Sequence, residues 1–359
     1  MTWLESVPGR VAPLDHAAMA AAGTRLNRLT KPPGSLGRLE ALATQLAGIT
    51  GSELPRAERA AVVVFVADHG VTAQGVSAYP SDVTAQMVAN FMGGGAAINV
   101  LGRLVGAVVT VVDVGVCGAI PRVEPESADR GARLVVARVA EGTRDMTVGP
   151  AMTRAEATRA IDVGRSVAAD LIEAGVDVIA VGEMGIGNTT AASAIVAAMT
   201  GRAASEVTGR GTGLDDAAVG RKVAVIAAAL ARHRPDSGDP IGVLAAVGGL
   251  EIAALVGAIL ACAEARVPVV LDGFITGAAA LVAAAIAPPA VPRMIASHCS
   301  AERGHRVVLE DLGLEPLLDL ELRLGEGSGA ALALPLVRAA TAILAEMATF
   351  DQAGVSGPG

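Results

Sequence analysis

The sequence predicts an α/β fold with a mostly parallel sheet, and three features carry that prediction. Short β-branched and apolar runs at 61–67, 107–112, 176–181 and 267–271 read as strands buried on both faces. Each of these runs leaves toward an acidic residue and a glycine, at Asp68-His69-Gly70, Asp113-Val114-Gly115, Gly182-Glu183 and Asp272-Gly273. The intervening segments are long enough for helices and do not match one another, so the unit recurs as structure and not as a sequence repeat. Parallel strands joined by helices gather their carboxyl ends on one edge, where open α/β sheets bind ligands.

In chain order, 15–28 and 35–49 read as helices, the second with Leu36, Leu39, Leu42, Leu46 and Ile49 near helical spacing and Ser35 as its cap. Between them Lys31-Pro32-Pro33-Gly34 is a rigid turn, with Lys31 either part of a plain connection or presenting a charge to a ligand or neighbouring subunit. Residues 81–91 read as the helix after the first strand. Thr153 and Glu156 form a capping box that opens a helix to about Glu173.

That helix feeds the strand 176–181, which is expected to stop at Gly182. Gly185 and Gly187 then let the backbone turn tightly, and Asn188 or Thr189 is expected to cap a helix over 191–199. Such a corner directs N–H groups at one point and suits a phosphate, although an ordinary crossover turn has the same spacing. A carboxylate repels phosphate, so Glu183 is expected to face a cationic ring or ribose hydroxyls instead. A second glycine-rich corner, 208–214, precedes Lys222, which reads either as a solvated helix charge or as the partner of a phosphate or carboxylate.

Residues 294–297 form the last expected strand, and the polar stretch 298–305 follows. His298 and His305 are seven residues apart without a third ligand at metal-site spacing, which favours hydrogen-bonding roles at the rim of a site. Glu326, held between Gly325 and Gly327 before a long apolar helix, is either poised at a site or a solvated first-turn acid. Pro335 predicts a start or kink in that helix, and 351–359 should fray.

Composition excludes several classes. The 359 residues carry 28 Lys plus Arg against 36 Asp plus Glu, a net charge of −8, with no basic block and 2% aromatic residues, so no nucleic acid partner is expected. Cys117, Cys262 and Cys299 are far apart and odd in number, as suits a reduced cytoplasm, and the first ten residues lack the apolar core of a signal peptide. Hydrophobic content is 52%, and the run 241–263 is long enough to span a bilayer. Nearly half of it is Ala and Gly, however, and Glu251 at its centre would cost roughly 2.5–3.5 kcal/mol on insertion. One buried helix of a soluble core is expected there, and no membrane partner.

The chain has no G-x-S-x-G elbow, no Walker-type phosphate loop and no Gly-x-Gly-x-x-Gly in its first βα unit. The Asp68 and Asp113 corners lack the twin acids and Thr-rich loop of a magnesium-pyrophosphate phosphoribosyltransferase. What remains is a site with two glycine-held carboxylates, Glu183 and Glu326, and anion-cradling corners, for which neither a metal nor a cofactor is expected.

Lys31-Pro-Pro-Gly-Ser-Leu-Gly-Arg-Leu-Glu, Ala67-Asp-His-Gly-Val, Val76-Ser-Ala-Tyr-Pro, Gly182-Glu-Met-Gly-Ile-Gly-Asn-Thr-Thr, His298-Cys-Ser-Ala-Glu and Leu322-Arg-Leu-Gly-Glu-Gly-Ser-Gly-Ala stand in one order along 29–336. Together they resemble the nicotinate-nucleotide:dimethylbenzimidazole phosphoribosyltransferases. The resemblance implies a doubly wound, Rossmann-like three-layer domain over 56–327 and a small helical domain formed by both chain ends, 1–55 plus about 328–359. It implies a cytoplasmic homodimer that needs no metal or cofactor and moves phosphoribose from nicotinate mononucleotide to 5,6-dimethylbenzimidazole in cobalamin lower-ligand assembly. It assigns Glu326 as catalytic base and Glu183 as the second acid. Gly185, Ile186, Gly187, Asn188, Gly211 and Lys222 would hold the phosphoribosyl part, Leu324, Tyr79, Gln86 and Met87 would line the benzimidazole pocket, and Ser300 would also bind substrate. The residues alone leave open a non-catalytic nucleotide sensor, a dehydrogenase, or the same transfer to adenine or a phenol.

Overall fold

The computed structural model describes residues 2–121, 131–211 and 213–356. Its strands are β1 (Ala60–Ala67), β2 (Val108–Gly115), β3 (Arg133–Val136), β4 (Val178–Met184), β5 (Val269–Leu271) and β6 (Met294–Ala296). They form one sheet of six in the order β3-β2-β1-β4-β5-β6, every pair parallel. This is the doubly wound order, and its direction of winding reverses between β1 and β4.

Helices α1 (Trp3–Arg10), α2 (His16–Arg28) and α3 (Arg38–Thr50) precede the sheet, and α4 (Val83–Gly93) and α5 (Ala97–Leu104) join β1 to β2. The long helix α6 (Arg154–Glu173) enters β4 and starts at the expected Thr153–Glu156 capping box. Between β4 and β5 come α7 (Asn188–Thr200), α8 (Ala204–Val207), α9 (Asp216–His233), α10 (Pro240–Val247) and α11 (Leu250–Glu264). Then α12 (Phe274–Ile286) leads to β6, and α13 (Arg303–Leu312), α14 (Ser328–Glu346) and α15 (Phe350–Ala353) close the chain.

Both faces of the sheet are covered, which is why its central strands are continuous apolar runs. Val63, Phe65 and Ala67 of β1 join the core beneath α6, α7, α11 and α12, while Val62, Val64 and Val66 pack with Leu42 and Leu46 of α3, Phe91 of α4 and Leu334 of α14. The helices from the two chain ends are also tied directly: Arg25 Nε donates to Leu344 O at 2.5 Å and Nη2 to Ala345 O at 3.0 Å.

Several elements differ from expectation. β4 does not stop at Gly182 but runs to Met184, because Gly182, Glu183 and Met184 stay paired with Val64, Phe65 and Val66 of β1; the glycine instead makes room for the Gly327 backbone, whose nitrogen a Cβ would overlap. β2 likewise continues through the buried Asp113, which accepts from Arg138 Nη2 at 2.8 Å. α3 begins at Arg38 with Gly37, φ 52°, as its cap in place of Ser35. The single helix expected over 241–263 is two, parted at Gly248 and Gly249, and Glu251 opens the second one instead of sitting mid-helix. α14 runs through Pro335 without restarting. Of the stretch 351–359, expected to fray, residues 351–353 belong to α15, which Thr349 and Gln352 open with a capping box, and 357–359 lie outside the described residues.

Among the described residues one helix, α14, is long and apolar enough to cross a membrane. Ala330, Ala331, Ala333, Leu334, Val337 and Leu344 of that helix are buried in the same core as β1 and β4.

Candidate active site

The exits of β4, β5 and β6 and the connection that follows β1 converge on a cavity of about 400 Å³ at the reversal point of the sheet. Glu183 closes β4 on one wall, 4% exposed, with Asn188 Nδ2 donating to its Oε2. The facing wall is the turn Gly325-Glu326-Gly327, whose φ angles of 87°, 64° and 82° are all left-handed. Glycine takes that conformation freely, but Glu326 does so at a cost that the surroundings must hold in place.

Two sets of bonds do so. The Glu326 N–H donates to Glu183 O at 3.1 Å, which docks the turn onto the strand. The Asp272 carboxylate, at the exit of β5, accepts N–H bonds from Gly327, Gly329 and Ala330 at 3.1, 2.7 and 3.1 Å and so caps α14. Glu326 is left 5% exposed, lining the cavity with an Oε2 that has no hydrogen-bond partner.

Burial raises the proton affinity of all three carboxylates. It lifts Glu326 above the usual carboxylate range. It lifts Glu183 well above that range, helped by the negative charges of Asp272, Glu251 and Glu326. Asp272 is pushed up to about 7 by burial, against the pull of its backbone N–H donors.

The other end of the cavity suits an anion. Gly187, φ 96°, heads α7, so the cap is a left-handed glycine and Asn188 and Thr189 are helical residues rather than caps. A side chain at Gly185 would overlap the Ala67 carbonyl, so glycine is obligatory there. Lys222 of α9 is fully buried and donates from Nζ to Thr189 Oγ1 at 2.7 Å. The reading of Lys222 as a solvated helix charge is therefore wrong, since α9 lays this residue against the start of α7. Burial lowers it to about 8, opposed by the charge of Glu302.

Gly185, Ile186, Gly187, Asn188, Gly211, Lys222 and Ser300 all line this one cavity with Glu183 and Glu326. At its mouth stand Met87, Tyr79 and Leu324, the last two 52% and 58% exposed. Gln86 is the predicted residue that does not reach the cavity; it points outward from α4 beside Met87.

His298 also lines the cavity, pushed down to about 4 by burial, and His305 behind it falls to about 3 while its Nδ1 accepts the Ser300 N–H at 2.8 Å. Both rings are neutral at pH 7, and no cluster of metal ligands occurs among the described residues. Glu302 and Arg323 complete the wall. Sequence reasoning passed over both, although Glu302 lies in the His298-Cys-Ser-Ala-Glu stretch.

A parallel sheet that opens a cavity at its reversal point, with a cationic helix start at one end and proton-accepting carboxylates at the other, defines a group-transfer enzyme for phosphorylated ligands. The comparisons narrow the class. The family profile described as phosphoribosyltransferase matches residues 11–355. A nicotinate-nucleotide–dimethylbenzimidazole phosphoribosyltransferase of Roseiflexus sp. (strain RS-1) is 57% identical over 357 residues, covering 99% of both chains. The enzyme of the same name from Chloroflexus aggregans is 57% identical over 356 residues, again 99% of each. Among solved structures, CobT from Thermus thermophilus superposes with a TM-score of 0.89 at 49% identity, covering 95% of this chain and 100% of that one. The chain belongs to this phosphoribosyltransferase family.

Proposed function

We infer that the chain transfers the 5-phosphoribosyl group of nicotinate mononucleotide to 5,6-dimethylbenzimidazole, giving α-ribazole 5′-phosphate and nicotinate for the lower ligand of cobalamin. The observation that carries this reading is Glu326: a buried carboxylate with raised proton affinity and an unpartnered oxygen, held in a strained turn on the cavity wall.

The phosphate sits at the start of α7, where Lys222 and the backbone of the glycine turn supply positive charge. The ribose then lies toward Glu183, and the acceptor enters past Tyr79, Met87 and Leu324. The leaving ring is already a pyridinium, so nicotinate departs with the glycosidic electron pair as the anomeric carbon becomes cationic, and buried carboxylates favour that charge. Benzimidazole presents one N–H to Glu326, which takes the proton while the opposite nitrogen forms the new C–N bond. Attack from the face opposite the leaving group turns the β-glycosidic configuration into α.

We also propose that the enzyme works as a cytoplasmic homodimer, and that the helices of 1–55 and 328–359 act as its small helical domain. Incubation with nicotinate mononucleotide and a panel of benzimidazoles, adenine and phenols, with products identified by mass, tests the reaction. Absence of any ribosylated product with nicotinate retained would reject it, and sedimentation at micromolar concentration tests the dimer.

A further inference from the structure

One buried cluster has no task in this reaction. His69, in the turn after β1, and Glu251, in the first turn of α11, are 1% and 0% exposed, and His69 Nε2 lies 2.7 Å from Glu251 Oε1. Asp68 beside them is also buried and accepts the Cys117 N–H at 2.8 Å. Asp68 Oδ1, His69 Nδ1 and Glu251 Oε2 have no hydrogen-bond partner. The break between α10 and α11 serves this contact, since a Cβ at Gly249 would stand 2.5 Å from His69 Cε1.

The cluster lies against the glycine turn of the active site. A Cβ on Gly187 would stand 3.3 Å from the His69 Cβ, and one on Gly185 would stand 3.4 Å from His69 Nε2. The imidazole is thus interposed between a buried carboxylate and the backbone that faces the phosphate. Buried charges are poorly screened, and Glu251 is felt as far as Asp68 and Glu183, whose proton affinities it helps raise. Burial opposes a charge on His69, but Glu251 and Asp68 outweigh it and lift the imidazole above its ordinary value.

We propose that His69 is a positioning residue for the nucleotide, cancelling the Glu251 charge beneath the Gly185 and Gly187 backbone so that this turn accepts a phosphate. The inference rests on the proposed reaction for the identity of its ligand.

Its test is calorimetric binding of nicotinate mononucleotide to the full chain, with steady-state kinetics beside it. His69→Gln keeps an amide N–H for Oε1 and exposes the uncancelled carboxylate. It is expected to weaken nucleotide binding about tenfold or more while the KM for dimethylbenzimidazole stays within about threefold. His69→Gln with Glu251→Gln keeps a neutral hydrogen-bonded pair and should restore nucleotide affinity to within about threefold of the parent. A folded single variant with parental affinity, or a folded double variant as weak as the single one, overturns the proposal. If His69→Gln does not fold, Glu251→Gln alone gives the reading: affinity equal to or tighter than the parent is expected, and a tenfold loss overturns it. A parent protein that binds the nucleotide but releases no nicotinate rejects the proposed reaction and leaves this inference standing.

Discussion

Glu326→Gln keeps the shape of the side chain and removes its ability to take a proton. Turnover should fall by about 10²- to 10⁴-fold while nicotinate mononucleotide still binds, because the proposed donor contacts lie at the start of α7. Single-turnover rates and calorimetry on one preparation check this, and a variant that forms product near the parent rate removes Glu326 from the mechanism. Lys222 carries a pH prediction. Its folded value is lowered from 10.5 to about 8, so the ammonium is lost from the folded protein as pH rises through that point. Nucleotide affinity should therefore decline above about pH 8 in the parent, and Lys222→Gln should bind weakly and without that dependence. Between these two values the unfolded chain holds a proton that the folded chain lacks, so this residue's contribution to stability grows with pH there. Glu183 and Glu326 were legible in the sequence because glycines flank them in an otherwise apolar chain. The burial of Lys222 was not, since helical spacing says nothing of what covers a face. Neither was the neutralising contact of His69, whose partner is 182 residues away.

Gly182 and Gly327 form the contact that seats the start of α14 on β4: a Cβ on Gly182 would overlap the Gly327 backbone, and one on Gly327, at φ 82°, would stand 2.9 Å from Val62 Cγ1. Gly182→Ala should therefore cost about 2–3 kcal/mol or more, at or beyond the upper end of ordinary overpacking, and should lower turnover as well by lifting Glu326 from Glu183. Thermal melting with kcat on the same sample reads this; a variant with lowered melting temperature and intact kcat would show that the seating does not position the carboxylate. The buried strands could be read from β-branched composition, and the capping box of α6 from two residues. β3 was missed because its four residues are half-exposed at the sheet edge and carry little apolar signal. Residues 241–263 were read as one helix because apolar periodicity does not register a break that exists to admit a distant histidine. The capping of α14 by Asp272 joins residues 55 or more apart in sequence, beyond the reach of any local rule.

The helices from the two chain ends share one apolar core with a face of the sheet, so they fold with it and hold the far end of the helix that begins at the active site. Arg25 donates to the last carbonyls of α14. Arg25→Ala should lower stability by about 1–3 kcal/mol in denaturant titration and leave kcat unchanged, because α14 is fixed at its other end by Asp272. A drop in kcat would mean that the chain termini control the catalytic turn. The mouth of the cavity has a different bearing on the family's history. In the proposed reaction the donor would be held by backbone and buried charge, whereas the acceptor would meet the side chains of Tyr79, Met87 and Leu324 at the mouth, Tyr79 and Leu324 being more than half exposed. Drift at Tyr79 and Leu324 costs folding little, while Met87 also packs against the core of β1 and α3, so a lineage supplied with a different base could change its acceptor at those two exposed positions while the phosphoribosyl chemistry behind them stays fixed.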